Sequence, residues 1–310
     1  MNWRDFLART WWIGLLGVVL VSGVFYLLIG RGFRTSFKDQ IYLQQTIIAR
    51  ASASNIQSVI GVIGNSISLL AQSSDIRLKN ATTQNAMDAF VDQWMDNGLI
   101  GGVILTDSSG VVVFNSNISG TYDTGDSVAD RDYFLWASNQ KKEGTIFVGE
   151  PVLSRLGASE GQTIVTVSSP VLVNGIFSGV VTTSVKLHPL TERYLNLMKV
   201  EEESRVYLID SSKATLYQND TLPLSETVRN SVEVGKEGRL ESAGKLIVYS
   251  PVNLSNQKWE VIVTTPNHLI LTNTIPFHIR QAVVLVLMAV VTLGFGKVAY
   301  QETLKHQNRL

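Results

Sequence analysis

The segment WWIGLLGVVLVSGVFYLLI, from Trp11 to Ile29, holds nineteen residues without a charge. A helix of that length covers a hydrocarbon core of roughly 30 Å. A cleaved signal peptide is the competing reading. The run exceeds the usual apolar region of such peptides, however, and Gly30-Arg31-Gly32-Phe33 is a poor small-x-small cleavage site. Trp11 and Trp12 at one end, with Phe25 and Tyr26 at the other, suit the two membrane interfaces. A second run, AVVLVLMAVVTLGFG from Ala282 to Gly296, is shorter, and Ile275 to Ile279 extend it through a region containing His278 and Arg280. Lys297, Lys305 and Arg309 follow against one acid, Glu302, which places the C-terminus in the cytoplasm. Two spans return the N-terminus there. Charge around the first span is ambiguous, because Arg4 and Arg9 precede it while Arg31, Arg34 and Lys38 follow, but long segments translocate largely regardless of charge. The expected order is a cytoplasmic N-terminus (1–10), a span (11–30), an extracytoplasmic segment (31–274), a span (275–296) and a cytoplasmic tail (297–310).

The exterior segment opens on a helical pattern. From Phe33 to about Ala71 there is no proline, and Ile56, Val59, Ile60, Ile63, Ile67 and Leu70 recur at spacings of three and four. Continued back to the membrane, such a helix is about 60 Å long. Its apolar face suits either packing along a domain or a homodimer seam, and Gly61 and Gly64 argue against an isolated rod. Beyond it, GVILTDSSGVVVFNSN (102–117) aligns without a gap with RVYLIDSSKATLYQND (205–220). Val103-x-Leu105-x-Asp107-Ser108-Ser109 matches Val206-x-Leu208-x-Asp210-Ser211-Ser212, and Phe114 corresponds to Tyr217. Each copy reads as a β-hairpin with a polar turn. Ser-Pro-Val recurs at Ser169 and Ser250, each time before a polar turn and a β-rich strand. A fixed order of hairpin, variable helix and hairpin, found twice, predicts two copies of one α+β module. Glu201, Glu202 and Glu203 mark a solvated boundary, giving modules at 73–199 and 200–268. The first copy carries extra material, TIFVGEPVLSRLGASEGQTIVTV, where a specialised pocket is expected.

Twenty-six basic residues balance twenty-six acidic ones, so nothing global points to nucleic acid. The absence of cysteine removes disulfides, thiolate metal sites and cysteine nucleophiles. His188, His268, His278 and His306 lack metal-ligand spacing, and no nucleophile elbow, P-loop or dinucleotide fingerprint occurs. No cofactor, metal or catalytic site is expected. Asp107 and Asp210 each precede serines in the repeated turns, and a turn role is favoured over a pair of catalytic acids. Four Asn-x-Ser/Thr sequons, at Asn80, Asn117, Asn219 and Asn253, are read as chance.

A membrane helix, a long exterior helix, two hairpin-containing modules and a return to the membrane resemble the double Cache (PDC-type) sensor domains of bacterial transmembrane receptors. The residues carrying the resemblance are Asp130-Arg131-Asp132-Tyr133-Phe134, Glu150-Pro151-Val152, Ser169-Pro170-Val171, the Asn174-Gly175 turn and Gly179-Val180-Val181. It covers about Phe33 to Pro266. The fold it implies is α+β: a long N-terminal helix and two tandem PAS-like antiparallel-sheet modules, flanked by two transmembrane helices in the bacterial inner membrane.

The resemblance also implies a site. Arg131 would face a small ligand in the membrane-distal module, with Tyr133 and Phe134 near the pocket wall. A guanidinium presents a planar donor fork to a carboxylate, and its value rises where aromatic walls exclude water. The competing reading has Arg131 capping a strand or paired with Asp130 or Asp132, with Phe134 and Trp136 inside. Amino-acid-binding members resemble this chain around the arginine but carry a tyrosine five residues earlier and later acids that hold the ligand amine. Here Asp126 takes the first position, and Ser154 and Ser184 align with the acids. A free α-amino acid is disfavoured because its ammonium would lack a counter-charge, unless Glu150 turns inward. A small carboxylate fits Arg131 better. The implied function is a sensor that passes a conformational signal across the membrane. The chain runs about fourteen residues past the second span, so the output is expected either from a separate cytoplasmic or membrane partner or from a longer architecture of which these 310 residues are the sensory portion. The alternative is a membrane-anchored assembly subunit without a small-molecule pocket.

Overall fold

The computed structural model describes residues 3–307 apart from 97, 121–122, 156 and 197–202. The Glu201 and Glu202 of the expected boundary therefore lie outside the described residues. The chain divides into two compact units, one of Met1–Leu43 with Pro266–Leu310 and the other of Gln44–Thr265.

In the first unit, the start of helix α1 (Trp3–Gln72) packs against a helix that begins at His268 and ends at Gln307. The contact is made by rings and one small residue. Phe33 stacks on Phe277 with centroids 4.0 Å apart, and the Tyr26 ring lies 5.9 Å from that of His278. Gly30 allows this approach, since a Cβ there would come within 3.2 Å of the His278 ring. Both helices contain stretches long and apolar enough to cross a membrane. Pro276 sits inside the second helix, where it withdraws one backbone donor without ending the helix.

In the second unit, the rest of α1 presents the expected apolar face. Ile56, Ile60, Ile63 and Ile67 are essentially fully buried, with Ala49, Ala53 and Ala71 continuing the same stripe. Gly64 brings the helix close to the sheet, because a Cβ there would stand 2.9 Å from the Ile146 side chain and 3.6 Å from Val167. After α2 (Ser74–Leu78), α3 (Ala81–Met95) starts at a capping box between Asn80 and Thr83.

The two hairpins predicted from the repeat are β1 (Ile100–Thr106) with β2 (Val112–Asn117), and β7 (Arg205–Ile209) with β8 (Thr215–Gln218). Their equivalence extends to register, for Leu105 pairs with Phe114 and Leu208 with Tyr217, and each pair shifts register at the next residue. Between β2 and the next hairpin come α4 (Asp132–Ser138), β3 (Phe147–Val148) and β4 (Val152–Leu153). The Ser-Pro-Val segments lie in a second pair of hairpins. One joins β5 (Thr163–Val173) to β6 (Ile176–Lys186), and the other joins β10 (Lys245–Asn253) to β11 (Lys258–Pro266), with β9 (Gly238–Ser242) before it. The shorter helices are α5 (Leu187–Thr191) and α6 (Glu226–Ser231), and α7 is the His268–Gln307 helix.

The first sheet runs β2-β1-β6-β5-β3 and the second β8-β7-β11-β10-β9, so the two modules have the same strand order. The first has one extra strand, β4, paired to β5 within the excursion that the second copy lacks. Asn174 and Gly175, at φ 51° and 77°, make the predicted tight turn between β5 and β6. Asp107 and Asp210 hold the matching turns. Each Oδ1 accepts a nearby serine hydroxyl at 2.7 Å and a backbone N–H four residues on, at 2.9 Å for Val111 and 2.8 Å for Ala214. Three of the sequon asparagines are structural as well. Asn80 caps α3, Asn117 accepts from Ser119, and Asn219 accepts from the Val206 N–H.

Candidate functional site

Residue alternation along the central strands of the first sheet separates two faces. Val165, Val167, Leu105 and Val185 are fully buried, with Val167 facing α1. The opposite face carries Ile104, Ile164, Thr166, Ser168, Thr182 and Ser184. Register collects the hydroxyls into rows, with Thr166 opposite Ser184 and Ser168 opposite Thr182. These hydroxyls, buried at Thr166, Ser168 and Thr182 and half-buried at Ser184, sit on strands otherwise rich in valine. That alternation is legible in TIVTVSS and VVTTSV, although only pairing reveals that the two sets converge.

This hydroxyl face floors a cleft of about 100 Å³, and α4 and the β4 segment wall it. Arg131, the residue before α4, enters from one side; Tyr133 follows it, and Ser154 and Arg155 enter from the excursion. The cleft is smaller than the ~150 Å³ apolar cavity that holds a benzene ring, which suits a ligand of few heavy atoms. An adjoining cavity of about 270 Å³ shares Ile104, Arg155 and Ser184 with it. Its lining includes Asn115, Asn117, Asp123, Asp126 and Glu160.

Arg131 is half-buried and makes no side-chain cap hydrogen bond to α4. Neither Asp130 nor Asp132 pairs with it. Asp130 instead lies 3.6 Å from the Arg155 guanidinium, and Asp132 Oδ1 accepts the Tyr133 N–H at 2.7 Å. The donor fork of Arg131 thus lines the cleft with no carboxylate of the described residues bound to it. Burial holds the Tyr133 phenol well above its ordinary range, with the Arg131 charge opposing and the neighbouring aspartates adding. Tyr133 stays a protonated donor at any working pH.

Of the six predicted site residues, Arg131, Tyr133, Ser154 and Ser184 meet in this cleft. Phe134 and Glu150 do not. Phe134 packs edge-on to Phe177 at 5.6 Å, in the core cluster that it shares with Tyr133, Val112, Val128 and Val180. Consecutive helix positions point about 100° apart, so Tyr133 and Phe134 cannot both face the cleft squarely. Glu150 is exposed and lines neither cavity. Sequence reasoning missed Arg155, Asp132, Thr166 and Thr182. Arg155 could have been suspected from its place in the excursion, but its approach to α4 depends on how β4 folds back on β5.

The matched strand order, the duplicated hairpins and the cleft beside α4 agree with a comparison of sequences, in which a Cache domain model of the double type matches residues 33–274. The chain belongs to the double Cache family. Double Cache domains are non-catalytic ligand-binding modules. No curated protein matches the chain. Among solved structures it is similar to the extracellular domain of the candidate histidine kinase vpHK1S-Z8, at 15% identity and TM-score 0.58, covering 79% of this chain and 96% of that one. It is also similar to the sensory domain of the Campylobacter jejuni chemoreceptor Tlp3 with isoleucine bound, at 13% identity and TM-score 0.58, covering 76% and 97%. The ligand-binding domain of the Pseudomonas fluorescens chemoreceptor CtaA in complex with L-serine matches at 16% identity and TM-score 0.52, covering 74% and 99%. At such identities the likeness is one of fold.

Proposed function

We propose that this double Cache protein is a membrane-anchored extracytoplasmic sensor that binds a small carboxylate in its first, membrane-distal module. The observation that carries the reading is the half-buried Arg131, which lines a small cleft with no carboxylate of the described residues engaged on it. A carboxylate would take the fork, and Tyr133, Ser154 and Ser184 would supply neutral hydrogen bonds around it. The structurally similar chemoreceptor domains carry amino acids. In this chain serines stand at 154 and 184 where the acids for the ligand amine would be, Glu150 does not replace them, and Arg131 and Arg155 outweigh the one carboxylate lining the cleft, Asp132, so an anionic ligand without an α-ammonium is favoured. An assembly subunit would be expected to have a collapsed first-module pocket, and the open cleft supports the sensor instead.

The proposed modules are 73–199 and 200–268, with spans at 11–30 and 275–296. A route for the signal starts at α4. Trp136 of α4 packs on Phe147 of β3 with centroids 5.1 Å apart. The next residue, Val148, is gripped by the Asn256 side chain from the β10–β11 turn, which accepts the Val148 N–H at 2.7 Å and donates to its carbonyl at 2.8 Å. From Asn256, β11 leads into α7. A shift of α4 on ligand binding would move that turn and bias α7, by no more than the ligand's preference between the two states.

The test is thermal unfolding of the full chain in nanodiscs against a panel of carboxylates, amino acids, amines and purines, with Arg131→Ala beside the parent. A ligand at a hundred times its dissociation constant adds about 2.7 kcal/mol, a shift of several degrees. A shift lost in Arg131→Ala is expected. A well-folded parent that no panel member shifts would sink the sensor reading.

A further inference from the structure

We infer that the ligand carries two carboxylates on a short chain and that Arg155 is the second cation that selects it. This deepens the proposed function and rests on it. Two arginines, Arg131 and Arg155, line the same small cleft, although they come from segments of different origin. Arg131 belongs to the α4 entry, whereas Arg155 lies in the excursion absent from the second module. Arg155 is held close to the Arg131 side by Asp130, the residue immediately before Arg131, at 3.6 Å.

That ion pair is poorly made. A charge-assisted N–H···O bond closes to about 2.7–2.9 Å, so Asp130 attracts Arg155 without forming one. The pair is also largely open to water, with side-chain exposures of 69% for Arg155 and 65% for Asp130, so it holds Arg155 weakly. A ligand carboxylate entering the cleft can replace Asp130 with a short, two-pronged contact. The remaining charges confine such a ligand to the arginine side. Asp123, Asp126 and Glu160 line the adjoining cavity and repel a dianion from it. Within the cleft itself, Arg131 and Arg155 outnumber the single carboxylate of Asp132, which accepts the Tyr133 N–H.

The experiment is calorimetric titration of the full chain in nanodiscs with succinate and with butyrate, which share a four-carbon chain and differ in one carboxylate. Succinate should bind at least about tenfold more tightly, the factor expected for one added charge-assisted contact. Arg155→Gln should reduce that preference to near unity, Arg155→Glu should reverse it, and Asp130→Asn should strengthen succinate more than butyrate. Equal affinities in the parent, a preference retained in Arg155→Gln, or binding of neither acid would each overturn the inference. If neither acid binds but another panel ligand does, and Arg131→Ala abolishes that binding, the sensor reading survives without a dicarboxylate. Unfolding of each variant without ligand checks that the exposed substitutions leave the fold intact.

Discussion

Arg131 and Glu260 show how differently two charged groups fare in this fold. Arg131 is half-buried and lines a cleft. Glu260, on β11, is fully buried; Oε2 accepts the Gly235 N–H at 2.8 Å, while Oε1 has no partner among the described residues. Burial pushes its carboxyl up from the ordinary 4.5 to about 8, and the Gly235 bond only partly opposes this. Below pH 4.5 the group is protonated in both folded and unfolded chains, so its full contribution is present there. Between 4.5 and about 8 the unfolded chain loses a proton that the fold retains, and stability falls by up to ~1.4 kcal/mol per pH unit as pH rises. Glu260→Gln, which keeps the shape and removes the titration, should flatten that slope in a Tm-against-pH series. An unchanged slope would place the pH dependence elsewhere. Sequence alone does not expose Glu260, because a single acid in KWEVIV reads equally well as the exposed member of a strand.

At the scale of elements, α1 tests whether glycine in a helix is slack or fit. Gly61 has nothing within 4 Å of a built Cβ, whereas Gly64 would drive one to 2.9 Å from the β-branched Ile146 side chain. Gly61→Ala should therefore gain up to about 1 kcal/mol from helix propensity. Gly64→Ala should lose stability despite the same gain, because Ile146 and Val167 would have to move. Equal stabilisation by both, read from thermal unfolding, would refute the close packing of α1 on the first sheet. The apolar spacing of α1 predicted its buried face correctly at Ile56, Ile60, Ile63 and Ile67, and left Val59 and Leu70 only half-buried. Those two lie at the edge of the stripe, which a list of spacings does not distinguish from its centre.

For the whole molecule, two predictions concern transmission and topology. Ligand binding should slow amide exchange both around α4 and along β11. Asn256→Ala should keep the first effect and lose the second, because the mutated turn no longer grips Val148. Protection of β11 that persists in the variant would rule out this route. Topology can be read by thiol labelling, since the natural chain has no cysteine to interfere. Ser108→Cys, in the exposed β1–β2 turn, should react with a membrane-impermeant maleimide on intact cells, and Lys305→Cys only after permeabilisation. Labelling of position 305 from outside would contradict the double-pass arrangement.

Local chemistry was enough to read much of this protein directly. Hydrophobic runs, helical spacing, the Asp-Ser-Ser turns and the Asn-Gly turn each depend on a few neighbouring residues, so the elements and their duplication were visible in the chain. The paired Ser-Pro-Val hairpins pointed to the duplicated module in the same way, whereas the shared strand order came from the pairing. The cleft depends on relations that no local window holds. Register alone sets Thr166 opposite Ser184, and the fold-back of β4 on β5 carries Ser154 and Arg155 toward α4. Tyr133 and Phe134 are both buried in one core cluster, and only Tyr133 also lines the cleft. Long-range pairing decided which side chains share a cavity, because the direction of a side chain is fixed by its partner strand and packing rather than by its identity.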